Sequence, residues 1–471
     1  MLVAESKHDV RFIERLLNDS STGSMSRLSH SLTMPSSLKS RAAPLGFLVL
    51  GALCSIDPIK LYEVDLSWYF ALLVFFPLVA RRRWRFPNVL NTLCAIGLIA
   101  AVLIGGVVGN RMDKGLIYGL KLSLILLVFW PVFRANPRSV HFYLIGSSVT
   151  VFANACLISL GAGLGLPTAW VVGDGRWQTF LSMPGAIGFP AIAAFAYWLF
   201  QIISIKPTVF ASVLAVSSLA VAIAGGSRGI IVLCAITILM SVVLLVLRRR
   251  ALITVIGVGL LLGGVGVLVL ASPGASPGDS WIPARLDNFV RVLLVSRGNF
   301  AETDPERAQL MQLALDGIRD HPILGSGLHS ITLATSDEPQ GVHNRYLSAW
   351  AELGLLGLLS VCGITFSWLR MLPAAIAGIR ADDPTYRFKC IWSITILLQF
   401  AVFGLFFPVG VQIDDWGFFI TAETILTATL YNRTRGKAAT LGGVPVASLP
   451  RLPHGPSSAN RLHSLRAREI Q

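Results

Sequence analysis

Three groups of side chains in this sequence are suited to holding an anion and moving a proton. Gly225-Gly226-Ser227-Arg228-Gly229 is a tight turn between apolar segments. Its glycines let successive backbone N–H groups line an anion pocket, and a guanidinium there grips phosphate oxygens in bidentate fashion. The same stretch also reads as a plain glycine-rich turn whose arginine reaches toward lipid headgroups. Arg307 follows a helix-start signal, with Thr303 or Asp304 as N-cap, Pro305 at the first helical position and Glu306 in the first turn. A cation at that end opposes the helix dipole unless an anion lies between them, although a solvated residue paired with Glu306 or Asp304 is the simpler reading of Arg307 taken alone. His343-Asn344, followed by Arg345 and Tyr346, comes just before a long apolar run. A histidine with a pKa of ~6.5 accepts a proton at neutral pH, and one at a membrane edge also serves as an ordinary interfacial residue.

Weaker candidates surround these. Arg176, near Asp174 and Trp177, either helps to hold a phosphate or sugar or pairs with Asp174. Lys121 and Glu423 lie inside apolar segments, where an ionisable group marks a cavity or pairs within a bundle. His321 and His329 read as turn residues, and Asp414 and Asp415 as a solvated loop.

The elements that must position these groups are membrane helices. With 54% hydrophobic and only 14% charged residues, the chain exceeds what a water-soluble core needs. Apolar runs of about 17–25 residues, long enough to cross a bilayer, recur along it. The clearest are Val89 to Gly109, Gly115 to Phe133, Val140 to Leu166, Phe180 to Ile205, Val209 to Gly226, Gly229 to Leu247, Ala251 to Ala271, Tyr346 to Leu369 and Cys390 to Val411. Ala42 to Ile59, Leu66 to Ala80 and Trp416 to Tyr431 are weaker. The expected fold is an all-α polytopic transmembrane helix bundle of about twelve spans with one large, partly helical extracytoplasmic loop.

Charge sorts by topology. With the N-terminus inside, short inner loops hold Arg81, Arg82, Arg83, Arg85, Arg134, Arg138, Lys206, Arg248, Arg249, Arg250, Arg370, Arg380, Arg387 and Lys389. Short outer loops hold only Lys60, Arg111, Lys114, Arg176 and Arg228. That asymmetry is the positive-inside pattern, so the net charge of +14 is accounted for by orientation and calls for no nucleic acid. The six cysteines all lie in or beside apolar runs, with neither disulfide nor metal spacing. The organisation expected is a polar cytoplasmic tail over 1–43, spans one to nine over 44–271, an outer loop over 272–345, spans ten to twelve over 346–431 and a disordered cytoplasmic tail over 432–471. The first tail includes Met25 and Met34 as alternative initiators and a short amphipathic helix around Val10 to Leu17. The outer loop should hold a helix with Leu310, Leu313, Ala314 and Ile318 on one face, ending before Pro322.

From Glu306 to Leu359 the parts combine into a pattern. Arg307 at a short amphipathic helix, "HPILGSG" from His321 to Gly327, His343-Asn344 and "ELGLLGLL" from Glu352 to Leu359 occur in that order. This stretch resembles the O-antigen ligase and O-antigen polymerase superfamily of bacterial membrane glycosyltransferases, and Ser227-Arg228-Gly229 looks like that family's upstream turn. Met311 departs from the family's frequent Trp, and Ser182 to Gly188 lacks the Asn-containing turn of many members.

The resemblance implies a metal-independent, inverting glycosyltransferase in the bacterial inner membrane, with both termini cytoplasmic and a periplasmic site. It implies a polyprenyl-pyrophosphate glycan as donor, and a saccharide acceptor that is either lipid A core or a lipid-linked repeat. No cofactor is expected, membrane lipids are partners and nucleic acid is not. Arg228 and Arg307 would hold the pyrophosphate and His343 would be the base, with Ser227, Asn344, Arg176 and Arg345 binding substrate. Ligase is the first expectation. The alternatives are an O-antigen or exopolysaccharide polymerase, a protein O-oligosaccharyltransferase and, outside this chemistry, a lipid or glycan transporter.

Overall fold

The structure is a computed structural model that describes residues 36–56, 60–61, 64–65, 72, 84–172, 176–181, 184–225, 228–246, 305–334, 339–407 and 413–441. The expected spans at Leu66 to Ala80 and Ala251 to Ala271, the amphipathic segment around Val10 and most of both tails lie outside those residues. The helices are α1 (Ser36–Cys54), α2 (Val89–Val108), α3 (Met112–Ala135), α4 (His141–Leu164), α5 (Pro184–Ser204), α6 (Val209–Ala224) and α7 (Arg228–Val246). They continue as α8 (Pro305–Asp320), α9 (Arg345–Phe366), α10 (Leu372–Ile379), α11 (Pro384–Phe403) and α12 (Ile413–Leu441). Three short antiparallel hairpins, unforeseen in an all-α reading, join helices: β1 (Lys60–Leu61) with β2 (Val64–Asp65), β3 (Ala169–Val172) with β4 (Arg176–Thr179), and β5 (Thr332–Ala334) with β6 (Pro339–Gly341).

Among the described residues, six helical stretches are long and apolar enough to cross a membrane, one of them running from Arg345 through α10 to Ile379. Shorter apolar stretches lie in α1, α6 and α7. α12 carries Glu423 and is not among them. α11 begins at Pro384, not near Cys390, because Asp383 caps it by accepting the Thr385 N–H at 2.9 Å. α3 stays continuous through Pro131 by widening to a π-helical turn over Leu124–Phe129, in which the Trp130 N–H reaches Ile125 O. A π turn absorbs a proline that lacks the usual donor.

α5 is the axis of the bundle. The Ile187–Ser204 span is 89% buried, against 39% for Val89–Val108, which therefore turns most of its surface outward. Phe189 packs on Phe400, Phe403 and Phe418, and Phe400 on Trp416 and Phe419, so α5, α11 and α12 share one aromatic core. Two polar side chains inside the bundle are bonded across helices. Glu423 accepts from Arg134 Nη1 at 2.7 Å and from Trp130 Nε1 at 3.1 Å, so it pairs within the bundle. Gln399 Nε2 donates to Leu233 O at 2.9 Å and Thr237 Oγ1 at 2.6 Å, which locks α7 to α11.

The expected loop helix is present as α8, capped off before Pro322, with Leu310, Ala314 and Ile318 buried. Leu313, expected on that face, is 40% exposed. The turn after it is wedged into the bundle. Ser326 and Gly327 donate to Ala351 O and Glu352 O, Leu355 N donates back to Ile323 O, and Leu328 N donates to Gly105 O of α2. α9 breaks helical geometry at Gly354 (φ 70°, ψ −168°) to admit this turn. A Cβ at Gly354 would lie 2.1 Å from Ile323 O, and one at Gly327 (φ 100°) 2.3 Å from Gly109 Cα. Only glycine fits either place.

Gly354→Ala is therefore expected to cost more than ~2 kcal/mol, from the disfavoured backbone region plus the clash. Gly163, with open space around its missing Cβ, is the control: Gly163→Ala should leave stability unchanged or raise it. Thermal unfolding of the full-length protein in detergent checks this, and equal melting temperatures for the two variants would contradict it.

Candidate functional site

α9 starts where the candidate proton acceptor lies. The β5–β6 hairpin leads into Val342, which is buried against Ala314, Ile318, Ile331 and Ala351. His343 comes next and is half-buried. Asn344 is the N-cap of α9, its Oδ1 accepting from Tyr346 N at 3.1 Å and Leu347 N at 3.0 Å. The cap fixes the backbone just after His343, so the imidazole sits on a defined helix start. Asn344, expected to bind substrate, thus has its side-chain oxygen committed to the backbone.

Arg345, expected to bind substrate, is turned into the bundle. Its guanidinium is wholly buried, 4.4 Å from the Phe400 ring centre and 5.7 Å from that of Trp416. Its three side-chain nitrogens make no hydrogen bond among the described residues, and Asp415 is its charge partner. Asp415, expected in a solvated loop, is buried in the first turns of α12. The Arg345 N–H donates to Gly404 O at 2.6 Å, and Tyr346 Oη to Ala401 O at 2.8 Å, so the start of α9 is tied to the end of α11.

Arg228 is the first residue of α7, and the next residue, Gly229, abuts Phe406. The helix starts that carry Arg228 and His343 therefore meet at the same segment, 404–406, following α11. Ser227 and the Arg228 side chain lie outside the described atoms. Arg307 is half-buried in the first turn of α8, the helix that packs on α9. Arg176 opens β4 opposite Val172, at the hairpin between α4 and α5; its side chain is likewise undescribed.

A second polar cluster lies beside the inserted turn. His329, in the left-handed region (φ 56°), donates its backbone N–H to Glu352 Oε2 at 3.1 Å and sets its ring 5.4 Å from that of Tyr118. Its Nε2 is buried without a hydrogen-bond partner among the described residues. Burial, with Lys114 and Arg111 nearby, holds the imidazole below its ordinary pKa. Glu352 is itself only 7% exposed. A lone carboxylate in the apolar "AELGLLG" run was the signal that could have pointed to this cluster.

Residues 210–362 match the family model described as O-antigen ligase, which supports membership of that superfamily over the segment containing Arg228, Arg307 and His343. No curated protein matches the chain. With the apolar helices, the match points to a multi-pass membrane protein.

Two outcomes follow from this geometry. Asn344→Ala should lower stability by about 1 kcal/mol, whereas Asn344→Ser, which keeps a cap, should recover most of it; melting temperatures of the two variants decide. For His329 the folded pKa lies below the unfolded ~6.5, so the unfolded chain binds more protons as pH falls through that value and stability drops. His329→Asn tolerates the left-handed backbone and removes the titration. The wild type should lose more melting temperature than this variant between pH 7.5 and 5.5, and parallel losses would contradict the assignment.

Proposed function

We propose, with the O-antigen ligase match over residues 210–362 as premise, that this protein transfers a polyprenyl-pyrophosphate-linked glycan to a saccharide hydroxyl at the outer face of the bacterial inner membrane. The observation that carries the reading is that one matched segment contains both arginines and the histidine, with His343 half-buried on a capped helix start beside the start of Arg228's helix.

In this mechanism His343 accepts the proton of the acceptor hydroxyl as that oxygen attacks the anomeric carbon. The bond from that carbon to the pyrophosphate oxygen breaks, and one displacement inverts the centre. Arg228 and Arg307 stabilise the charge growing on the leaving pyrophosphate. Ser227 and Arg176 contribute donors to the phosphates or sugar. Arg345 works as a positioning residue from beneath, fixing the start of α9 against α11, and Asn344 does so through its cap. A pyrophosphate leaving group makes ATP and a metal ion unnecessary to this scheme. The basic loops lie at the other end of the helices, which supports a cytoplasmic assignment for that end and a periplasmic one for His343.

A neutral imidazole as general base contributes typically about 10²–10⁴-fold. His343→Ala should lower glycan transfer by about that factor while the protein inserts and melts as the wild type does, and Arg228→Ala and Arg307→Ala should each lower it as well. The readout is surface glycan on a gel after complementing a deletion strain. Free polymer with bare core identifies a ligase, and core bearing a single repeat a polymerase. Full transfer by His343→Ala would remove the mechanism.

A further inference from the structure

The end of the bundle away from His343 holds a cavity of about 1530 Å³. α11 separates the two places: Asp383 and Thr385 at its start line the cavity, while Gly404 after its end binds Arg345. Twenty residues of helix put them about 30 Å apart. The α3–α4 turn, the end of α5, the α10–α11 turn and α12 all contribute to the lining.

Two kinds of chemistry meet there. Arg85, Arg134, Arg138, Lys389 and Arg433 are its cations, against Asp382 and Asp383 as acids in the lining. Arg134 is taken up by Glu423, and Asp383 is occupied in capping α11. The remaining charge is positive. Beside it, Phe388, Ile205 and Ile425 supply apolar wall. Two further lining groups are buried without a hydrogen-bond partner among the described residues: Trp392 Nε1 in a fully buried indole and Thr424 Oγ1 in a side chain 2% exposed. A buried indole N–H has no role but donation, so its vacancy asks for an acceptor oxygen.

We propose that this cavity binds one anionic phospholipid of the adjoining leaflet, the phosphate among Arg138, Lys389 and Arg433 and an ester oxygen at Trp392 and Thr424. Basic pockets between transmembrane helices on the cytoplasmic side are suited to such headgroups. A free phosphate ion meets the charges but leaves the apolar wall and most of the volume unfilled. The proposal does not rest on glycan transfer, and its test does not use it.

The test is native mass spectrometry of the full-length protein in detergent, titrated with dioleoylphosphatidylglycerol, dioleoylphosphatidylcholine or inorganic phosphate. A single phosphatidylglycerol adduct is expected, displaced by neither of the others. Lys389→Gln should reduce its occupancy about fivefold, and Arg138→Gln with Lys389→Gln about 25-fold. Thr424→Val, which exchanges one hydroxyl for a methyl and leaves every charge in place, should also weaken the adduct, and it decides the matter if the charge variants do not fold. Equal binding of phosphatidylcholine, displacement by inorganic phosphate, or unchanged occupancy in Thr424→Val and in folded charge variants would overturn the proposal.

Discussion

Backbone contact between the inserted turn and two helices is the constraint on which the end of the bundle that carries His343 depends. The 325–328 segment lies against residues 351–354 of α9 and against Gly105 and Gly109 of α2, so close that Cβ atoms are excluded at Gly327 and Gly354. Three hydrogen bonds join the turn to α9 and a fourth joins it to α2. α8, which carries Arg307, is thereby held at its C-terminal end to the helix whose start carries His343. The glycine-rich motif is thus a structural anchor that ties the end of α8 to α9 and α2.

Several polar and charged groups inside the bundle are paired across helices. Glu423 is matched by Arg134 and an indole N–H, and Gln399 is bonded to α7. Arg345 is different: its guanidinium lies over aromatic faces and opposite Asp415 with no hydrogen bond among the described residues. Cation–π contact offsets part of the desolvation, and the backbone bond to Gly404 holds the residue in place. The arrangement sets the direction of α9's first turn and, one residue earlier, of the Asn344 cap and His343.

Much of this was legible in the sequence. Pro305 and Pro322 bracket α8, the apolar runs mark the helices, and Arg307, the glycine turn and His343 all fall within the segment that matches the family model. What escaped depends on three-dimensional contact. The stretch from Thr385 to Lys389, with Arg387 and Lys389, hides the start of α11, because its N-cap, Asp383, lies seven residues before Cys390, where the apolar stretch resumes. Arg345 adjoins the His343-Asn344 motif and so reads as one of its substrate-binding residues, whereas its guanidinium lies over Phe400 and Trp416. His329 reads as a turn residue and is one, but its partner Glu352 lies on α9, beyond any local spacing rule. The hairpins are too short to show a period of two.

The central claim is that bond exchange, and not transport, takes place at the outer end beside His343. Its most direct test uses purified protein in proteoliposomes without an ion gradient, given a polyprenyl-pyrophosphate glycan and a saccharide acceptor. Released polyprenyl pyrophosphate should appear in step with an inverted glycosidic bond on the acceptor, and both should vanish with His343→Ala. Donor that crosses the bilayer intact, with no pyrophosphate released, would contradict the account.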